Sequence, residues 1–191
     1  MTEPLRLAST SPQRRAILEQ LQIPFEVIAP EYEEHDPPDA DPVALVLDHA
    51  EGKARSVHDG RRVTRGVDTT VHLDGEVFGK AADAEDARRM LSRLAGRTHT
   101  VLSGVCLLGP DFEARELATT EVTFRALSAG AFDAYLVSGE WRGRAGAYAI
   151  QGFGGRLVER IQGDYLNVVG LPGALLVDLL GRHAPALLAT A

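Results

Sequence analysis

Apolar positions recur at two periods along this chain, and the period switches several times. Leu5 to Ser9 predicts a short strand, and Ser11-Pro12 then opens a helix. Ser11 suits the N-cap and Pro12 the first helical position, with Ile17, Leu18 and Leu21 on one face. Phe25 to Ala29 predicts a second strand, and the acidic, proline-rich 30–42 stretch a loop. Asp41-Pro42 starts a longer helix through Val43, Val46, Leu47, Ala50, Ala54 and Val57. Val63 to Asp68 and Thr70 to Leu73 read as strands, followed by an Asp74-Gly75 hairpin turn and a return over Glu76 to Phe78. Asp83 caps a helix carrying Ala87, Met90, Leu91 and Leu94, which Gly96 ends. Thr98 to Leu108 and Glu113 to Leu127 are long strand-like runs. Ser128 caps a helix through Val137, and the 139–155 stretch is glycine-dense. Arg156 to Ile161 predicts a strand and Pro172 to Leu180 a final helix.

Strands and helices alternate at the start, and antiparallel hairpins follow. That order predicts an α/β fold with a mixed sheet. At 191 residues, the chain can bury a substantial core as a single domain over residues 1–191. A net charge of −7 argues against a general nucleic-acid or anionic-membrane surface, yet leaves room for a local basic pocket. The single cysteine, Cys106, excludes an intrachain disulfide, and its apolar run points to a buried strand. Met1-Thr2-Glu3-Pro4 shows no signal-peptide pattern, and no window reaches membrane-span length. A cytoplasmic location is the expectation.

Lysine usage changes this picture. Lys53 and Lys80 are the only lysines, beside eighteen arginines. A compact ammonium fits a tight oxyanion pocket, whereas the arginine fork suits bidentate contacts, so the two retained lysines are candidates for that work. Chance placement explains them equally well on composition alone.

Four segments can carry chemistry. In 7–15, a strand ending in hydroxyl residues enters a helix, offering free N–H groups with Ser9, Ser11 and Arg14 as further donors to an anion. A plain capped helix with solvated arginines accounts for the same residues. Asp68, ending a buried apolar strand in Gly66-Val67-Asp68-Thr69, can bind a divalent ion or take a proton from water, or simply cap a turn. Among Glu31, Glu33 and Glu34, one can complete an oxygen site for magnesium or manganese, or all can be solvated. In 145–155, glycines permit close backbone approach and Gln151 can both donate and accept toward a base edge. The six histidines lack metal-ligand spacing, so zinc is not expected. Neither a dinucleotide fingerprint nor a Walker-type phosphate loop occurs.

Taken in order, Leu7-Ala-Ser-Thr-Ser-Pro-Gln-Arg-Arg15, Glu33-Glu34, Gly66-Val-Asp-Thr69, Leu73-Asp-Gly-Glu-Val-Phe-Gly-Lys80, Leu94-Ala-Gly-Arg-Thr-His99, Ala145-Gly-Ala-Tyr-Ala-Ile-Gln-Gly152 and Val169-Gly-Leu-Pro172 resemble the Maf family of nucleoside triphosphate pyrophosphatases. The likeness runs from Leu5 to about Leu180. It implies an inosine-triphosphatase-like α/β fold: a mixed twisted sheet flanked by helices, two lobes with a cleft, and often a homodimer. It also implies hydrolysis of a nucleoside triphosphate to monophosphate and pyrophosphate with magnesium or manganese. On this likeness the catalytic base falls on Asp68, which can instead be a metal ligand. Lys53 and Lys80 join it as catalytic residues, Glu34 as a metal ligand, and Ser9, Ser11 and Arg14 as substrate-binding residues.

Gln13, Thr69 and Gln151 fall where the family's subfamilies separate. Thr69 and Gln151 resemble the branch acting on dTTP and UTP. Gln13 departs from it, since arginine marks that branch and an aromatic residue the branch acting on 7-methyl-GTP. Ala81 replaces the proline that commonly follows the lysine. A 7-methyl-GTP or broad-specificity pyrophosphatase, and a catalytically weak nucleotide-binding regulator of cell division, are the alternatives.

Overall fold

The structure is a computed structural model describing residues 3–37 and 40–189. Met1 and Thr2 of the N-terminal stretch, and Pro38 and Asp39 of the predicted loop, lie outside the described residues. Seven strands form one mixed sheet in the order β2-β1-β3-β5-β6-β7, with β4 paired to β3. The strands are β1 Leu5–Ala8, β2 Phe25–Ile28, β3 Thr64–Leu73, β4 Glu76–Phe78, β5 Thr98–Leu108, β6 Glu113–Phe124 and β7 Val158–Gln162. The helices are α1 Pro12–Gln20, α2 Pro42–Val57, α3 Ala84–Leu94, α4 Ala129–Ser138, α5 Tyr165–Val169 and α6 Gly173–His183. β1 pairs in parallel with both β2 and β3, whereas β3–β4 and β6–β7 are antiparallel. The expected mixed α/β architecture is therefore present.

The chain divides into two compact units. The first comprises 1–69, 103–118 and 170–191, and the second 70–102 and 119–169. In the first, α2 lies directly on β3 and β5. A Cβ on Gly66 would stand 1.9 Å from the Ala50 carbonyl oxygen, and one on Gly104 would stand 2.2 Å from that of Val46. Only glycine at these positions lets the helix backbone come so close. Ala50 and Ala54 of α2 pack with Cys106 and Leu108 of β5 in that contact. Cys106 is fully buried, and burial pushes its thiol up to about 12. Three contacts register the same face of β3 along α2: Thr64 with His58, Gly66 under Ala50, and Asp68 with Lys53. The strand period of two turns Arg65, Val67 and Thr69 to the opposite face.

The second unit is built differently. α3 contributes Ala87, Met90, Leu91 and Leu94 to a core that also holds Phe78, Phe124, Tyr135, Trp141 and Tyr148. Its helical period and its Asp83 cap, which accepts from the Asp86 N–H, match the sequence reading. His99, Phe124 and Tyr148 meet edge to face, with ring centroids 4.8–5.4 Å apart.

Three readings change. The two predicted strands across 63–73 are one, because Asp68 and Thr69 find side-chain partners and the ladder runs through them. Arg156 and Leu157, predicted as strand, close a 3-10 turn over Phe153–Leu157 whose N–H groups at Phe153 and Gly154 are held by the Glu140 carboxylate. β7 thus begins at Val158. β6 stops at Phe124 rather than Leu127, and Tyr165–Val169 adds a helix too short for its period to announce.

Candidate active site

Within the first unit, β1 delivers its chain to the start of α1. Ser11 caps that helix, its hydroxyl accepting from the Arg14 N–H at 3.5 Å and donating to Gln13 Oε1 at 3.1 Å. The Ser9 hydroxyl, nearly buried, accepts from the Ser11 N–H and from Arg14 Nη1, both at 3.2 Å. Arg14 Nε donates to the Gly170 carbonyl at 3.0 Å, and Thr69 Oγ1 donates to the same oxygen at 3.4 Å. Thr69 also shares a 2.8 Å hydroxyl contact with Ser103. Ser9, Ser11, Gln13, Arg14 and Thr69 therefore form one hydrogen-bonded group.

A second group hangs from α2. Lys53 Nζ sits 2.5 Å from Glu34 Oε1 and 2.6 Å from Asp68 Oδ1. The lysine side chain is 9% exposed and that of Asp68 15%, so the ammonium is buried between two carboxylates. Such a bridge compensates charges that burial alone would make expensive. Glu34 reaches Lys53 because its loop is tied to α2. The Tyr32 hydroxyl meets His49 Nδ1 at 3.0 Å, His49 Nε2 meets Asp36 at 2.7 Å, and the Tyr32 ring covers the bare backbone of Gly52. Burial pulls the Arg14 guanidinium below its ordinary value, while Asp68 and Glu34 pull it back up. That coupling joins the two groups electrostatically.

Lys80 and Gln151 belong to the second unit. Lys80 is exposed, its backbone bridged to Ala145 just after the β4 turn. The Gly146 N–H points at the Phe78 and Gly79 carbonyls, which secures the segment carrying Lys80. Gln151 is exposed in the turn before the 3-10 helix. Glu31 and Glu33 are exposed as well.

Among the described residues no set of three or more His, Cys, Asp or Glu is arranged to hold a metal ion. Two converging carboxylates do fit magnesium or manganese, which bind through one or two protein carboxylates plus water and phosphate oxygens. Glu34 and Asp68 supply that donor pair. The sequence reading missed Tyr32, His49, Ser103 and Arg65. Tyr32 and His49 carry no spacing signal, because their contact appears only once the loop has docked on the helix.

Fold and site together define an α/β protein with a buried, alternating array of cations and carboxylates. A family model described as Maf-like protein matches residues 4–183. The chain belongs to the Maf-like family. It is 49% identical over 186 residues to a dTTP/UTP pyrophosphatase of Nitratidesulfovibrio vulgaris, covering 94% of this chain and 88% of that protein. It is 46% identical over 178 residues to a dTTP/UTP pyrophosphatase of Symbiobacterium thermophilum, covering 92% of each. The dTTP/UTP pyrophosphatase of Myxococcus xanthus is 48% identical over 181 residues, with 93% and 91% covered. A solved structure, the Staphylococcus aureus Ham1 protein, superposes at a TM-score of 0.43 and 15% identity over 64% of this chain and 72% of that one.

Proposed function

We propose that this protein hydrolyses dTTP or UTP to the monophosphate and pyrophosphate. The observation that carries the reading is the Lys53 ammonium held between Glu34 and Asp68 beside Arg14. Alternating cations and carboxylates of this kind support a site that serves a polyphosphate and a nucleophilic water together. The names of the relatives at 46–49% identity supply the substrate class.

In this mechanism Arg14 and the α1 start bind phosphate oxygens, with Ser9 and Ser11 fixing the guanidinium and the helix entry. Lys53 neutralises charge developing on the α-phosphoryl group. Asp68 orients the attacking water through the oxygen not engaged by Lys53 and takes its proton. Attack at the α-phosphorus breaks the bond to the β-phosphate bridging oxygen, and pyrophosphate leaves. Glu34, or Asp68 in place of its role as base, would hold magnesium or manganese, which supplies charge neutralisation on the phosphate oxygens when bound. Gln13 and Thr69 bear on the choice of base; Gln13, held by Ser11, presents a neutral amide where a cation would restrict choice.

The reaction would be carried out by a cytoplasmic homodimer acting on free nucleotides, without nucleic acid. Among the described residues no helix is long and apolar enough to cross a membrane. The test is a panel of dTTP, UTP, 7-methyl-GTP and the other common triphosphates with magnesium or manganese, scored for pyrophosphate and phosphate. Pyrophosphate from dTTP and UTP is the expected product. Phosphate instead would make the protein a terminal phosphatase, and binding without turnover a regulator.

A further inference from the structure

Among the described residues, Arg65 is the largest fully buried side chain. None of its three guanidinium nitrogens, Nε, Nη1 and Nη2, has a hydrogen-bond partner among the described residues. Among the described residues no carboxylate pairs with the charge. The ionic group that acts on it there is Arg14, another cation. Burial and that repulsion pull the guanidinium down to about 9, which still leaves it charged at neutral pH.

Such an arrangement is costly. An unpaired buried charge is destabilising even after relaxation, and buried arginines are ordinarily paired. The fold offers no compensation locally: Arg65 is in register with Leu7 of β1, fully buried like Leu5, in an apolar layer. By strand alternation Arg65 shares its face of β3 with Thr69, and Thr69 and Arg14 both donate to the Gly170 carbonyl. Arg65 therefore sits behind the hydrogen-bonded group that ends in Arg14, on the same side of the sheet.

The charge balance of the first unit's site makes its role specific. Lys53 and Arg14 are matched by Glu34 and Asp68, so those four groups sum to zero. Arg65 leaves one positive charge in excess. We propose that Arg65 is a buried counter-charge for the polyphosphate. It acts on the bound anion through the protein interior, behind Arg14, rather than by contact. This rests on the pyrophosphatase reading for its ligand and names a binding residue that reading does not use. A charge held in a low-dielectric layer acts at a range where a solvated one is screened. It also does not reorganise when the ligand binds.

The proposal predicts opposite effects on stability and binding. In Arg65→Met, the neutral side chain of similar length removes the unpaired charge from the apolar layer. In phosphate-free buffer its Tm should equal or exceed that of the wild-type protein. Its dissociation constant for pyrophosphate, measured by calorimetry, should rise about tenfold, the size expected of one unit charge at this range. Arg65→Lys should keep pyrophosphate affinity within about threefold of wild type, since the charge is retained. Wild-type pyrophosphate affinity in Arg65→Met would overturn the proposal, as would a lowered Tm, which marks the guanidinium as structural. Arg65→Leu serves as a second neutral variant, and failure of both to fold also overturns it. Turnover of dTTP and UTP by the wild type judges the pyrophosphatase reading separately, because pyrophosphate binding needs no turnover.

Discussion

The two units solve the problem of buried polarity in opposite ways. The first buries full charges: Lys53 and Arg65 are inside, with Asp68 nearly so. The buried polar groups of the second are neutral, namely Thr70, His99, Thr120 and Asn167. His99 there contacts the Tyr148 hydroxyl at 2.9 Å, and Asn167 donates to Val101 and Thr120. Its charged side chains pair at the surface, as in Arg88–Asp133 and Arg97–Asp74. Charge taken out of water costs stability that a neutral hydrogen bond does not. The contrast therefore separates a unit that spends stability on electrostatics from one that accumulates it in an aromatic core.

The sharpest way to break this contrast is at Asp68. Asp68→Asn should lower pyrophosphate release about 10²- to 10⁴-fold, the range of general-base catalysis, with circular dichroism unchanged. Near-normal turnover would leave the charged unit without a catalytic role at that residue. In the other unit, Leu91→Ala should cost about 2–5 kcal/mol in denaturant unfolding, since Leu91 is fully buried. Its kcat for the folded fraction should stay within about threefold of wild type. A large loss of kcat there would erase the division of labour.

Acid tests the neutral histidine. Burial lowers His99 from its ordinary 6.5 to about 4. The unfolded chain therefore binds a proton that the folded chain refuses between these values. Stability from the neutral ring is complete above about pH 6.5, declines as pH falls, and is lost below about pH 4. The loss should reach about 3 kcal/mol, and His99→Phe should flatten that limb of the curve. An unchanged slope in His99→Phe would assign acid sensitivity elsewhere. Smaller again, Lys80→Arg should reduce kcat/KM about tenfold, because a planar fork replaces a compact cation. Arg88→Lys, at a surface pair, should shift stability by no more than about 0.5 kcal/mol and leave kinetics alone. Equal kinetic effects of these two changes would remove the special standing of lysine.

Local signals made much of this legible. The α2 start at Pro42 with its Asp41 cap, the whole of β5, and the Asp74-Gly75 turn follow from capping, alternation and turn chemistry. The strand break placed at Thr69 failed because a polar residue in a strand looks unsatisfied until Ser103 is brought beside it. Arg156-Leu157 misled because their composition favours a strand, whereas Glu140 dictates the preceding turn from thirteen residues away in the chain. The site divided similarly. Lys53, Glu34 and Asp68 were named from order along the chain, and the structure joins them. Arg65 was passed over, since an arginine in a strand normally reaches water, and its complete burial beside Leu7 exists only in the folded sheet.

Cys106 turns this packing into an instrument. Its thiol lies in the seam between α2 and β5, protonated and sealed from solvent. Only the thiolate reacts with alkylating reagents, so modification must wait for the seam to part. With no second thiol to compete, the labelling rate becomes a clock for opening of the helix that carries Lys53. Run with and without nucleotide, that clock would report in minutes how firmly the ligand locks α2 in place.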